Sequence, residues 1–552
     1  MKNFLQSLCS KLDIKFILLL IFFNLPIVFS EIFIHEINSR IIGHAISFFL
    51  EIIFGAIILA GLKIFLEQFN LSVAKVFKYF LLAVCAIIFL ADIFALCYYD
   101  TPVNRTMLKI ILATNPQEAT EFFSVYVFSA KFLVIFFSSA IIFFILNKIS
   151  LSQINEKVLV VILIIVLIAV VRQVKRSPQD FILQTNSIGR MAIILPEVLQ
   201  DMRDYENFAS HSRHEVNLTR NESNLPLVIF VLGESATRNH WQLYGYNLPT
   251  TPNLNDLNSE NSLKIFSDTV SPHAHTMQVL QKIFTFYRRE NDSEGEKFWL
   301  EKENIFDILN AAGYHTAWIS NQEMGGIYGN IGRFYSEICA TKKFTQLRDS
   351  VEQDDAKFDE EILPLFDEEL KNLHEKNFFV LHLMGSHSRY KLRYPKSFEK
   401  FFPADESDKN KTRAEYDNSI LYTDFVLNQI VERVKNFDSI VIYVSDHGED
   451  VFDDKNFSGH AEDNPSKFMI EVPFVIYTSE KFRDNHSELE KKISAAVDKP
   501  FMSDDMIYFL LDMLKIETAD FDSTLSPLNE NYNSDRQRIF SGKIYDKERG
   551  LQ

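Results

Sequence analysis

Ile440-Val-Ile-Tyr-Val444 is an unbroken apolar run that stops at Ser445-Asp446-His447-Gly448-Glu449, and Leu227–Leu232 ends in the same way at Gly233-Glu234-Ser235. Such runs are too short to cross a membrane and lack polar alternation, so they read as strands buried on both faces. Thr316–Ile319, Phe378–Met384 and Val472–Tyr477 repeat the pattern between helical stretches, which predicts a parallel sheet covered by helices, an α/β domain. In open sheets of this kind ligands bind beyond the carboxyl ends of the strands. The clusters Gly233-Glu234, Ser320-Asn321, Gly385-Ser386-His387 and Ser445-Asp446-His447 are therefore expected to meet along one edge.

Glu234 and Asp446 supply hard oxygen ligands and His447 adds an imidazole, a mixture that suits zinc or manganese better than calcium. A metal with one open position lowers the pKa of a bound hydroxyl, and Thr276, in His273-Ala-His275-Thr276-Met277, is the hydroxyl that would fill it. Met277–Tyr287 is apolar at helical spacing, so Thr276 is expected at a helix N-terminus, where backbone N–H groups favour a phosphate. Each residue also has a plainer reading: Glu234 as a helix N-terminal carboxylate, Asp446 as a turn residue, Thr276 as an N-cap. The run Asp446-His447-Gly448-Glu449 resists it, because adjacent ligand-type side chains at a strand end are costly without a partner.

The rest of the chain sets where this chemistry happens. Hydropathy divides the 552 residues at about residue 175 into an apolar half and a mixed half that carries almost all of the net charge of −17. With no basic stripe to neutralise phosphates, nucleic acid is excluded as a partner. Apolar stretches lie at 16–34, 41–66, 76–98, 124–147 and 158–171. The first four are long enough for about 30 Å of hydrocarbon, whereas the fifth is short and meets Arg172 at once. With five spans and Lys2, Lys11 and Lys15 holding the N-terminus in the cytoplasm, the second half lies outside; with four it would lie inside, and the outside reading is adopted. Residues 1–174 are thus read as a membrane domain of about five helices. Residues 175–225 form a linker with an amphipathic, interfacial stretch near Ile193–Met202, and residues 226–552 the catalytic domain. Cys339 is the lone cysteine of the second half, which therefore holds no internal disulfide.

Several segments together resemble the phosphoethanolamine transferases of the bacterial envelope, members of the alkaline phosphatase and sulfatase superfamily. They are Val231-Leu-Gly-Glu234-Ser-Ala-Thr-Arg238-Asn-His-Trp-Gln-Leu-Tyr244-Gly-Tyr with Thr250-Thr251-Pro252-Asn253, Met384-Gly-Ser-His387 with Arg393-Tyr394-Pro395, and Ser445-Asp446-His447-Gly448-Glu449. The resemblance covers nearly the whole chain and implies a multi-span membrane domain followed by a sulfatase-like α/β domain. It implies a zinc ion on Glu234, Asp446, His447 and a nucleophilic Thr276, with Mn2+ as an alternative. His387 and His460, the latter in Ser458-Gly459-His460-Ala461, would face the substrate, hold a second metal or move a proton to the leaving group. Thr114 and Glu118, in the loop between the third and fourth spans, would contact the lipid, and Asn321 would join the substrate contacts. The family often has an asparagine one turn before that threonine, where this chain has Ile110. The residues after Thr276, Met-Gln-Val-Leu-Gln, are closer to the subgroup that modifies the lipopolysaccharide core than to many lipid A modifiers.

The implied reaction moves phosphoethanolamine from phosphatidylethanolamine to lipid A or the lipopolysaccharide core through a phosphoethanolamine-threonine intermediate. The implied location is the inner membrane, with the catalytic domain in the periplasm. A phosphoglycerol transferase acting on phosphatidylglycerol is the runner-up, and a non-catalytic membrane scaffold the reading from another class. A sulfatase proper would need a Cys/Ser-x-Pro-x-Arg setting, which does not surround Thr276.

Overall fold

In the computed structural model the described residues are 12–29, 39–99, 102–113, 130–148, 187–211, 215–294, 298–323, 331–346, 357–405, 407–462 and 464–548, with scattered helical residues between 158 and 171. The chain divides into two compact units, Met1–Leu112 with Phe122–Met202, and Ala113–Glu121 with Arg203–Gln552.

The first unit is built mainly from apolar helices, α1 (Ile14–Asn24), α2 (Ser39–Phe69), α3 (Leu71–Tyr99), α4 (Arg105–Ala113) and α5 (Ala130–Lys148), with the amphipathic α6 (Ser187–His211) belonging to it as far as Met202. Two of them contain stretches long and apolar enough to cross a membrane, Ala45–Phe69 with mean hydropathy 2.4 and Leu71–Cys97 with 2.8. The first expected span is interrupted: α1 ends at Asn24 because Pro26 has no N–H to continue the helical ladder, and although Leu25 keeps a helical conformation the helix resumes only at residue 26. The fifth expected span lies partly outside the described residues, and its described portions are helical. Phe16, Leu20 and Phe23 of α1 pack against Ala56, Ala60, Leu81, Cys85 and Phe89, where the small residues of α2 let the helices approach. Asp13 caps α1 by accepting from the Phe16 N–H at 3.0 Å and pairs with Lys63 at 3.4 Å and Lys78 at 2.7 Å, so one carboxylate fastens three helices.

The stretch expected to hug the membrane surface, Ile193–Met202, forms the middle of α6. Ser187, Arg190, Ile194 and Val198, spaced at helical period, are buried, whereas Leu195 and Leu199 are exposed. Arg190 enters these apolar surroundings because Asp92 of α3 receives it, with Nη2 2.7 Å from Oδ1. Asn24 accepts from the Ser187 N–H at 2.6 Å and thereby satisfies the start of α6.

The second unit centres on a seven-stranded sheet. Its strands are β1 (Leu227–Gly233), β2 (Leu263–Phe266), β3 (His315–Glu323), β4 (Thr341–Gln346), β5 (Asn377–His382), β6 (Ser439–Ser445) and β7 (Phe474–Thr478), in the spatial order β2-β7-β6-β1-β5-β3-β4. All five strands read from the sequence are present, and β1, β5 and β6 are buried at every position, as strands covered on both faces must be. The sheet is mixed, not parallel throughout: β7 runs antiparallel to β6 and β2. Between Ser445 and Phe474 the described residues form a short hairpin, Asp450–Val451 with Ser458–Gly459, and the four-residue helix Lys467–Ile470, with no long helix of the kind that usually carries a parallel crossover. Leu263–Phe266 and Thr341–Gln346 are additional edge strands.

The short helix α7 (Thr276–Ile283) is followed later in the chain by the long helix α8 (Asp408–Val434), which packs on this sheet and fixes the segment after β1. His240 of that segment is buried, with Nδ1 2.6 Å from Asp417 of α8 and Nε2 3.2 Å from Asp453. Burial alone would lower its pKa, but the two carboxylates outweigh burial and hold it up at about 9. Its contribution to stability is complete below the unfolded value of 6.5 and is lost as pH rises through about 9. The advantage of wild type over His240→Gln is expected to shrink by about 3 kcal/mol between pH 6 and pH 10 in denaturant unfolding. An advantage independent of pH would contradict the charged state of this ring.

Candidate active site

Strand register assembles the site. β1 and β6 are parallel neighbours with Gly233 opposite Ser445, so the next residues, Glu234 and Asp446, leave the sheet side by side. Ser235 takes a left-handed conformation (φ 56°) and donates its N–H to Asp446 Oδ1 at 3.1 Å, while its hydroxyl donates to Glu234 Oε1 at 2.8 Å. The His447 N–H donates to the same Asp446 Oδ1 at 2.7 Å. On the other side of β1, the turn after β5 folds Gly385 over Glu234. An added Cβ there would lie 2.5 Å from the Glu234 carbonyl oxygen, and φ is +54°. Gly385→Ala is accordingly expected to cost about 2 kcal/mol or more in thermal unfolding and to lower zinc affinity with it.

Thr276 starts α7, with His275 before it in extended conformation. Its Oγ1 lies 3.2 Å from Glu234 Oε2 and 3.2 Å from His447 Nε2. Glu234, Asp446 and His447 are all buried and offer ligand atoms within 4.8 Å of one another. Three features fit this set to a cation. Asp446 Oδ2 is buried without a hydrogen-bond partner. The His447 Nδ1–H is directed at the Gly448 carbonyl oxygen at 2.9 Å, which leaves the Nε2 lone pair facing the carboxylates. Burial, and then the charge of Asp446, push the Glu234 carboxyl well above its ordinary range, as two acids crowded together do, and a cation between them would relieve that repulsion.

A second group lies beside this one. The short hairpin Asp450–Val451 with Ser458–Gly459 pairs Gly459 with Asp450, so its continuation places Glu449 opposite His460. His460 Nδ1 meets Glu449 Oε2 at 2.8 Å, and the Tyr390 hydroxyl donates to the other oxygen at 3.1 Å. The His460 ring is 4.2 Å from that of His447 and 5.9 Å from that of His275. Burial pushes the Glu449 carboxyl up to about 8, and burial followed by neighbouring imidazoles pushes His275 down to about 3. His387 and His460 are likewise held well below the usual histidine range, first by burial, so both rings are neutral. His387 is fixed through its backbone: Arg393 Nε donates to its carbonyl oxygen at 3.1 Å.

The residues read from the sequence are thus placed unequally. Glu234, Thr276, Asp446 and His447 converge, His460 stands next to them, and His387 is carried on the turn whose Gly385 folds over Glu234. Asn321, expected at the substrate, is instead fully buried, its amide donating to Asp359 at 2.8 Å and the Lys357 carbonyl at 3.0 Å and accepting from Thr345 at 2.7 Å. Asp359 in turn receives the N–H groups of Met384 and Gly385, so Asn321 supports the turn that carries His387. Thr114 and Glu118 lie outside the described residues. Gln322, Glu449 and His275 were not singled out by the sequence reading. Gln322 Nε2 reaches Glu234 Oε2 at 3.3 Å, and the available signal was its place directly after Ser320-Asn321 at a strand end. Glu462 is a further brace, accepting the Ala274 N–H at 2.9 Å and meeting His273 at 2.6 Å, which ties the Thr276 loop to the His460 loop.

Comparison with known proteins places this architecture. The family described as Sulfatase matches residues 226–516. Phosphoethanolamine transferase EptC of Escherichia coli O18:K1:H7 (strain RS218 / NMEC) is 27% identical over 498 residues, 84% of each chain. The zinc complex of the C-terminal periplasmic domain of EcEptC from Escherichia coli superposes with a TM-score of 0.55 at 27% identity, covering 61% of this chain and 99% of that one. The integral membrane lipooligosaccharide phosphoethanolamine transferase A from Neisseria meningitidis shares the fold over 93% of this chain and 98% of its own, with a TM-score of 0.64 at 18% identity. Apolar helices followed by an α/β unit, a buried acid-acid-histidine set at the strand ends and these relatives lead to one assignment: the chain belongs to the sulfatase family, and its relatives there are phosphoethanolamine transferases.

Proposed function

We propose that the protein transfers phosphoethanolamine from phosphatidylethanolamine to lipid A or the lipopolysaccharide core, working from the inner membrane with its catalytic unit in the periplasm. The observation that carries this reading is the Thr276 hydroxyl, 3.2 Å from both Glu234 and His447 within a buried set of metal-ligand type. The names of its relatives support the transferred group, and the zinc complex of the EptC domain supports the metal. Glu234, Asp446 and His447 would hold the ion, which supplies Lewis acidity that lowers the pKa of the Thr276 hydroxyl.

The remaining steps fall to this chain's own residues. Thr276 Oγ1 gives up its proton, attacks the phosphorus and forms a P–O bond as the bond to diacylglycerol breaks. The leaving alkoxide takes a proton and departs as diacylglycerol, leaving phosphoethanolamine on Thr276. The acceptor's oxygen then displaces Thr276, whose oxygen is reprotonated. The His460–Glu449 pair suits the proton steps, since Nδ1 of the ring lies 2.8 Å from Glu449 Oε2 and a proton can pass between them. The N-terminal N–H groups of α7 face the entering phosphate. Lipid tails hold the donor in the bilayer at about 0.8 kcal/mol per buried methylene, so an enzyme anchored by apolar helices brings its site to the headgroup.

The test is donor identity. The zinc-loaded full chain, given phosphatidylethanolamine or phosphatidylglycerol in mixed micelles, is expected to release diacylglycerol from the first alone. Release from phosphatidylglycerol alone would establish a phosphoglycerol transferase, and release from neither would overturn the reading.

A further inference from the structure

We propose that Arg389 binds a lipid phosphate at this site, an inference that deepens the transferase reading and rests on it. Arg389 stands two places after His387 and next to Tyr390, whose hydroxyl bonds Glu449. Its backbone is left-handed, with φ 59° and ψ 53°, a conformation that residues bearing a Cβ rarely adopt and that clusters in loops serving a site. Its guanidinium is partly buried, and Nη1 is sealed from solvent with no hydrogen-bond partner among the described residues.

The other arginines of the neighbouring loops are engaged. Arg393 donates to the carbonyl oxygens of His387 and Ser388, Arg289 pairs with Asp292, and Arg413 pairs with Asp453. One loop therefore carries a structural arginine, Arg393, and an uncommitted one, Arg389. A guanidinium nitrogen sealed without a partner is costly unless an anion takes up its N–H groups, and a phosphate matches the planar fork with paired hydrogen bonds. Buried carboxylates at Glu234, Asp446 and Glu449 would repel an approaching phosphate, and a cation on the loop that carries His387 would offset that repulsion. The phosphate is either the diester of the donor or a phosphate group of the glycolipid acceptor, and the two share this chemistry.

The test uses the zinc-loaded full chain in micelles and has two arms. The first follows formation of the Thr276 adduct against phosphatidylethanolamine concentration, and the second follows discharge of the preformed adduct against lipid A concentration. Arg389→Ala is expected to raise the half-saturating concentration about 10–100-fold in one arm with the saturating rate little changed, and Arg389→Lys to restore part of it. The arm that responds identifies the phosphate. Unchanged half-saturation in both arms, or a loss confined to the saturating rate, overturns the proposal. Should the wild type form no adduct, the transferase reading fails, and calorimetric binding of inorganic phosphate by the same chain decides Arg389 alone. Weakening of about tenfold in Arg389→Ala then sustains it, and equal affinity overturns it.

Discussion

Thr276→Ala is expected to abolish transfer, leaving activity on the order of 10^4-fold or more below wild type, as removal of a nucleophile does. Thr276→Ser should keep a measurable fraction, because it retains a hydroxyl that can occupy the place 3.2 Å from Glu234 and His447. The fold should be indifferent to the change. Thr276 is the first residue of α7, its side chain bonds the ligand set instead of the helix backbone, and alanine has the higher helix propensity. Transfer of labelled phosphoethanolamine measured beside thermal unfolding separates the outcomes. A Thr276→Ala protein that still transfers would remove Thr276 from the chemistry, and one that unfolds at much lower temperature would give it a structural role.

Asp446→Asn is expected to have opposite effects with and without zinc. Asp446 Oδ1 accepts the Ser235 and His447 N–H groups, and asparagine can keep both bonds. The other oxygen is buried without a partner and 3.4 Å from His447 Nε2, beside an acid whose pKa its charge drives up. Exchanging that oxygen for an N–H group removes a charge and supplies a donor, so in chelator the variant should be more stable than wild type by about 1–2 kcal/mol. Adding zinc should reverse the order, because wild type gains in proportion to its affinity and the variant gains little. Transfer is lost in the variant. If Asp446→Asn were less stable than wild type in chelator, or gained equally from zinc, the carboxylate would be a structural group and not a ligand.

The central strands and their polar ends were legible because burial on both faces leaves long apolar runs, and a run that ends in Gly233-Glu234 or Ser445-Asp446 marks the strand's limit. The edge strands were not. Leu263-Lys-Ile-Phe266 and Thr341-Lys-Lys-Phe-Thr-Gln346 mix charge with apolar residues, because an edge covered less fully tolerates lysine. The reversal of β7 was equally invisible, since side-chain period is the same for either strand direction. Within the site, Glu234, Asp446 and His447 could be named because their chemistry is distinctive at a strand end. Gln322 and Glu449 could not, since their roles arise from approach in space: Glu449 meets His460 only through the register of a two-residue hairpin. Asn321 shows the converse, a polar residue at the right strand end whose amide is taken up by Asp359, Lys357 and Thr345.

The most direct test is the intact mass of the zinc-loaded full chain after incubation with phosphatidylethanolamine, wild type beside Thr276→Ala. The account predicts a gain of one phosphoethanolamine in the wild type, mapped by fragmentation to Thr276, and none in the variant. A gain that maps to another residue, or that persists in Thr276→Ala, would contradict it.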